Sequence, residues 1–134
     1  MKKKFYFPTV QEITDINKLV LQEIPVSKHD KFGLFKEEKV MKAIIRKAKN
    51  TKDDAYDKAT TLLIELVRQH PFRAGNRRTA YAVAESFLFH NLDKAPLMDT
   101  TKRDTVLNGI RENYYTRKEI KKWLKGGKIR EFKK

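Results

Sequence analysis

The chain has 134 residues, which suffices for one hydrophobic core but not for two ordinary domains, so we expect a single domain (1–134) with its core over about residues 8–125. Its 31 Lys and Arg outnumber 17 Asp and Glu, and the resulting charge of +14 attracts anionic partners such as nucleotides, nucleic acids or acidic proteins. The lack of cysteine excludes disulfides and thiolate chemistry, and without an apolar run of about 18 residues we expect a cytoplasmic protein with no membrane contact.

The first two predicted helices flank a segment rich in turn residues. Thr9 and Glu12 have the spacing of a capping box, and a helix with apolar residues at helical spacing follows to about Ile24. Residues 25–35 contain Pro25 and Gly33, which favours a loop or a short hairpin. The second helix has one apolar face, formed by Val40, Met41, Ile44, Ile45 and Ala48.

The third and fourth predicted helices are joined by a short loop. Asp53 or Asp54 is placed to cap the third helix, whose wide apolar stripe predicts deep burial. That helix ends near Gln69, because Pro71 disfavours helical geometry at His70. The fourth helix runs from Asn76 to about His90, and its small residues predict close packing at the centre of the fold: Thr79, Ala80, Ala82 and Ala84.

Two shorter helices and a basic tail complete the chain. A helix starts near Thr101 and is weakened by Gly109, and Thr116 with Glu119 forms a second capping-box pattern. We expect a basic C-terminal tail at residues 126–134, in which Gly126 and Gly127 close the last helix and residues 128–134 are loose. Strand-like sequence occurs only at residues 4–7 and around Gly33. The predicted fold is therefore all-α, with about six helices and at most one small β-hairpin.

The segment of residues 70–80 has the composition of an anion-binding loop, and it reads His-Pro-Phe-Arg-Ala-Gly-Asn-Arg-Arg-Thr-Ala. The free N–H groups at the start of the fourth helix carry the positive end of the helix dipole. Gly75 allows the backbone to approach a phosphate closely, and Asn76 can cap the helix or hold a phosphate oxygen. Three guanidinium groups lie within one turn of this site, from Arg73, Arg77 and Arg78.

His70 is the candidate general base, because an imidazole with an ordinary pKa near 6.5 can accept a hydroxyl proton at neutral pH. Phe72 is interpreted as a buried anchor that fixes the direction of the loop, and Thr79 as a structural support. Taken singly, a histidine at a helix end is more often a cap or core residue, and paired arginines are usually solvated. The conjunction of all these residues in one loop is what indicates a functional site.

The same loop resembles the Fic/Doc signature. The Doc form of that signature reads H-x-F-x-x-x-N-K-R-T-A, and six positions match it directly, with Arg77 in place of its lysine: His70, Phe72, Asn76, Arg78, Thr79 and Ala80. A Gly-Leu pair before the second helix, at Gly33 and Leu34, is also similar to Doc-like chains. We expect the resemblance to cover about residues 8–91.

The resemblance implies a transferase of the Fic/Doc type, with ATP as donor, a protein hydroxyl as acceptor and His70 as base. Fic members transfer AMP, whereas the Doc branch resembles a kinase that inactivates a translation elongation factor as the toxin of a toxin–antitoxin pair. Arg77 replaces a Fic glycine and Tyr81 replaces the second Fic arginine, and both differences favour phosphoryl transfer. No built-in inhibitory segment is found, so we expect a separate acidic antitoxin.

Ala74 departs from the family pattern, because it stands where an Asp or Glu usually holds Mg²⁺, and a methyl group cannot bind a metal. Charge compensation by Arg73 and a catalytically inactive member both remain open. A further alternative is a nucleic-acid-binding module, suggested by the net charge and by aromatic residues among the basic ones: Tyr114, Tyr115 and Trp123. Their helical spacing favours core packing instead.

Overall fold

The computed structural model describes residues 4–23, 34, 36, 38–92 and 100–133. Over these residues the chain forms a 3₁₀ turn at Thr100–Lys102, no sheet, and six α-helices: α1 (Val10–Glu23), α2 (Glu38–Asn50), α3 (Ala55–Gln69), α4 (Asn76–Leu92), α5 (Arg103–Arg111) and α6 (Arg117–Leu124). The prediction of an all-α fold with six helices is confirmed.

The predicted hairpin at residues 25–35 lies outside the described residues except for Leu34, which forms a single antiparallel bridge with Phe72. Residues 4–7, the other strand-like segment, form no strand. Within the described part of the chain, no helix is both long and apolar enough to cross a bilayer.

The predicted caps account for three of the helix starts. Thr9 Oγ1 accepts from the backbone N–H of Glu12 at 3.1 Å before α1. Asp54 caps α3 by accepting from the N–H of Asp57 at 3.0 Å. Thr116 and Glu119 form the predicted capping box of α6. Each side chain satisfies a helix N–H that has no partner within the helix, so these helix starts are set by local sequence.

Helix α3 lies at the centre of the fold, in contact with α2, α4, α5 and α6. Its predicted deep burial is confirmed, since Leu62 and Leu63 are fully buried. We expected α4 to be central, but α4 is a neighbour that packs on α3, α1 and α5. Ala80 and Ala84 of α4 are fully buried and permit the close approach of α3. The loop between these two helices is therefore anchored by the most extensive packing in the fold.

The prediction of a loose C-terminal tail is wrong for the described residues 126–133. Arg130 donates from Nε to Glu119 Oε2 at 2.5 Å, and its guanidinium carbon lies 4.1 Å from the centre of the Tyr114 ring. The hydrogen bond from Arg130 holds the pKa of Glu119 at about 2. The Tyr115 hydroxyl donates to the carbonyl of Arg130 at 2.9 Å. The side chain of Arg130 thus contacts one carboxylate and the Tyr114 ring, and its carbonyl accepts from Tyr115. These contacts fix the described part of the tail.

The same packing buries two of the three aromatic residues that suggested a nucleic-acid-binding module, and Tyr114 is partly buried. Trp123 is 1% exposed and Tyr115 is 4% exposed, so neither ring is free to stack on a base.

Gly109 gives the first testable prediction. Helix propensity alone predicts that Gly109→Ala stabilises α5 by about 1 kcal/mol. In the structure, an added Cβ would lie 3.0 Å from Cδ2 of Tyr115 and closer still to Cε2. We therefore expect Gly109→Ala to destabilise the protein by about 1 to 3 kcal/mol in urea unfolding.

The matched control repeats the substitution in a Tyr115→Ala background, where the ring is absent. There Gly109→Ala should become stabilising. The same sign in both backgrounds would contradict the contact.

Candidate functional site

The loop after α3 is closed by one side-chain amide. Helix α3 ends at His70, which has left-handed backbone angles (φ 53°, ψ 56°). Asn76 Oδ1 accepts from the N–H of Phe72 at 2.8 Å, and Asn76 Nδ2 donates to the carbonyl of Phe72 at 2.9 Å. Asn76 is 4% exposed and Phe72 is 1% exposed. The amide therefore pairs with both backbone polar groups of Phe72 and fixes the short turn between His70 and α4.

Helix α1 holds the other side of this loop. Asn17 is fully buried, and its Nδ2 donates to the carbonyl of Ala74 at 2.9 Å and to Thr79 Oγ1 at 3.0 Å. Gly75 has φ +74°, and a Cβ there would lie 3.1 Å from Leu21 Cδ2. Only glycine adopts this backbone without strain while α1 packs so closely. The start of α4 is thus positioned from two directions.

A cavity of about 530 Å³ opens beside the loop, a volume within the usual range for small-molecule sites. One wall is the loop and the first turn of α4, and the facing wall is α5. The lining residues from the loop wall are His70, Ala74, Gly75, Asn76, Arg77 and Arg78, and those from α5 are Asp104, Leu107, Asn108 and Arg111.

The structure brings five of the six predicted catalytic and phosphate-binding residues to this cavity: His70, Gly75, Asn76, Arg77 and Arg78. Arg73 is exposed and does not line it. Phe72 and Thr79 lie buried behind the loop, in the positions expected of structural supports. Oδ1 of Asn76 and one N–H of its Nδ2 are hydrogen-bonded to the backbone of Phe72. Its predicted contact with phosphate stays a prediction.

The α5 wall was missed by sequence reasoning. Arg77 donates from Nη1 to Asn108 Oδ1, which joins the first turn of α4 to α5. Arg68 Nε donates to the carbonyl of Ile110 at 3.2 Å and places the last turn of α5 beside the end of α3. Arg111 then lines the cavity on the wall opposite the loop. Asn108 and Arg111 are polar residues between and after the buried residues of α5. From the sequence alone they are typical of a solvent-facing helix surface.

Positive charge surrounds His70. Burial lowers the pKa of His70 below its ordinary value, and the charges of Lys36, Arg111 and Arg77 lower it further. Burial and Arg111 likewise lower the pKa of Arg77, while Asp104 acts in the opposite direction. A lowered pKa leaves the imidazole neutral at neutral pH. The ring can therefore accept a proton, and the surrounding cations can attract an anion.

Carboxylate ligands for magnesium are few among the described lining residues of the cavity. Ala74 offers only a methyl group at the predicted ligand position. Asp104 is the one described carboxylate on the cavity wall, and its two oxygens each lie 3.5 Å from an arginine nitrogen, of Arg78 and of Arg103. No group of three His, Cys, Asp or Glu side chains that could hold a metal occurs among the described residues. The donor set is therefore suited to anions rather than cations.

The comparisons with known proteins agree with the motif. A family model described as the Fic/DOC family matches residues 7–88, which is more than half of the chain. No curated protein matches the chain. The matched range includes the loop and the first turn of α4 and ends before α5.

A substitution of Arg111 tests the electrostatics of the site. Removing its charge in Arg111→Gln should raise the pKa of His70, because one of the cations that disfavour protonation is lost. The pKa should stay below its ordinary value, because burial, Lys36 and Arg77 still act. An NMR titration of the His70 imidazole protons, assigned with His70→Ala, measures the change.

Arg46→Gln is the control, because Arg46 is exposed on α2 and does not line the cavity. This substitution removes the same charge at a different place on the protein. A pKa of His70 that is unchanged in Arg111→Gln, or changed equally in both variants, would contradict this arrangement.

Proposed function

The chain belongs to the Fic/DOC family, and we propose that it transfers the γ-phosphate of ATP to a serine or threonine hydroxyl of a target protein. Members of this family generally transfer nucleotide or phosphate groups. The observation that carries the proposal is that His70 lies on the same cavity wall as Arg77, Arg78 and the N-terminus of α4. A proton acceptor and an anion site thus share one cavity.

In the proposed step, a nitrogen of the neutral His70 ring accepts the proton of the acceptor hydroxyl. The hydroxyl oxygen forms a bond to the γ-phosphorus, and the bond between that phosphorus and the β,γ-bridging oxygen breaks. ADP leaves with the electron pair. Arg77, Arg78 and the first N–H groups of α4 stabilise the negative charge on the transferred group. The imidazolium returns its proton to solvent.

Two residues support phosphate transfer over AMP transfer. The Arg77 guanidinium occupies the cavity wall where a Fic chain has only glycine. Tyr81, at the position of the second Fic arginine, is 5% exposed, packs 6.0 Å from the ring of Trp123 and does not line the cavity. Two of the three arginines that line the cavity therefore come from the start of α4. AMP transfer is the alternative that the experiment below distinguishes.

We further propose that the chain is the toxin of a toxin–antitoxin pair, with a translation elongation factor as target and an acidic antitoxin as partner. The support is the Doc-like form of the motif together with the charge of +14, which speeds capture of negative protein surfaces. Association with the antitoxin should slow as salt is added. A pull-down with this chain from its native cell tests the role. Recovery of nucleic acid without any acidic protein would count against it.

The reaction is tested with ATP labelled at the γ or the α position, incubated with the chain and an elongation factor. We expect label from the γ position alone to enter the protein. Label from the α position would instead establish AMP transfer, and the absence of both would reject a transferase that uses ATP on this acceptor.

His70→Ala should lower the rate of transfer by about 10² to 10⁴ and leave the affinity for ATP nearly unchanged, because a general base acts on the acceptor. His90→Ala is the matched control, since His90 lies on α4 away from the cavity. Equal rates for the two variants would remove His70 from the mechanism.

A further inference from the structure

We infer that the cavity binds the polyphosphate of its donor as a free anion, without a divalent cation, and that Arg111 is a phosphate-binding residue of this site. The inference rests on the proposed function in one respect, namely that the ligand is a nucleotide. It names the form in which that nucleotide is bound and adds a residue from outside the matched range of the family model.

The first step concerns the charge that faces the cavity. Arg77 and Arg78 come from the loop wall and Arg111 from α5. Like charges that line one cavity repel one another, and Arg111 adds to the effect of burial in lowering the pKa of Arg77. A polyphosphate placed between the two walls relieves this repulsion and accepts charge-assisted hydrogen bonds from both. The two-walled arrangement is thus complementary to an elongated anion.

The second step concerns the single carboxylate among the described lining residues. Asp104 lies between Arg78 and Arg103, and its side chain is 66% exposed. Binding Mg²⁺ there would bring a cation into a site already lined by three arginines. Ala74 contributes no oxygen from its side chain. Charge neutralisation of the phosphates is therefore supplied by guanidinium groups instead of a metal.

The third step concerns Arg111 itself. Among the described residues its one ion pair is with the neighbouring Glu112, at 3.4 Å, and both side chains are nearly half exposed. Such surface pairs contribute little to stability, so turning the guanidinium toward a phosphate costs little. The bond from Arg68 to the carbonyl of Ile110 fixes the backbone beside it. Arg111 is therefore held at the cavity and is available to a ligand.

The test is calorimetric titration of the full chain with ATP, once with EDTA and once with excess Mg²⁺. We expect ATP to bind in EDTA at least as tightly as in Mg²⁺, because bound Mg²⁺ cancels part of the charge that the arginines recognise. Arg111→Gln should weaken binding in EDTA by about tenfold to a hundredfold, the range for a hydrogen bond to a charged group. Arg46→Gln, with the same loss of charge on α2, should change it by less than about threefold.

Ala74→Asp provides a second variant that reverses the expectation. The new carboxylate lies beside the arginines of the cavity, so ATP should bind this variant more weakly than wild type in EDTA and recover in Mg²⁺.

Binding of ATP to wild type that requires Mg²⁺ would overturn the inference, as would equal affinities of Arg111→Gln and Arg46→Gln in EDTA. Transfer of label in Mg²⁺ would still support the proposed function in either case. Conversely, tight binding in EDTA with no transfer under any condition would support the inference and reject the kinase. Failure of ATP to bind in both buffers would reject both.

Discussion

The whole site depends on two hydrogen bonds, which join the Asn76 side chain to the backbone N–H and carbonyl of Phe72. Helix α3 must stop and α4 must start within six residues, and a turn this short leaves peptide groups that neither helix can satisfy. The amide supplies an acceptor to the N–H and a donor to the carbonyl of the same buried residue, in two successive peptide groups. With the backbone fixed at Phe72, His70 lies at the end of one helix beside the start of the next. The proposed base and the proposed anion site thereby become neighbours.

Charge acts at this site through a few residues, not through the excess of +14 as a whole. Much of the basic sequence is used structurally, as Arg130 is by Glu119 and the ring of Tyr114, or as Lys121 is by the buried Asp57 at 2.8 Å. The cations at the cavity have one carboxylate, Asp104, on the walls that the structure describes. Burial and, after it, the charges of these cations lower the pKa of His70, and the proposed phosphate ligand would be their counterion. The same cations thus favour the proton acceptor and the proposed substrate together.

Local sequence signals predicted the helices and the loop well, because caps, periodicity and Pro71 act over a few residues. Long-range geometry was beyond them. Arg111 lies at the site because Arg68 binds the carbonyl of Ile110 and so positions the end of α5. The sequence predicted that Gly109 weakens its helix, whereas in the structure the missing side chain leaves room for the ring of Tyr115. The prediction of a loose tail was wrong for the same reason: the partners of Arg130 lie 11 to 16 residues away in the sequence, beyond the reach of local signals. The Fic/Doc resemblance was correct at the family level because its signature is contiguous.

In the proposed function the anionic substrate binds in one cavity, between the loop of residues 70–75 and α5. A titration of ¹⁵N-labelled protein with ATP, followed through the backbone amide signals, tests this location. We expect the largest shifts to fall on two separate segments, residues 70–78 and residues 104–111, in one saturable process. Shifts concentrated in the basic C-terminal residues 117–133, with the loop unaffected, would contradict it.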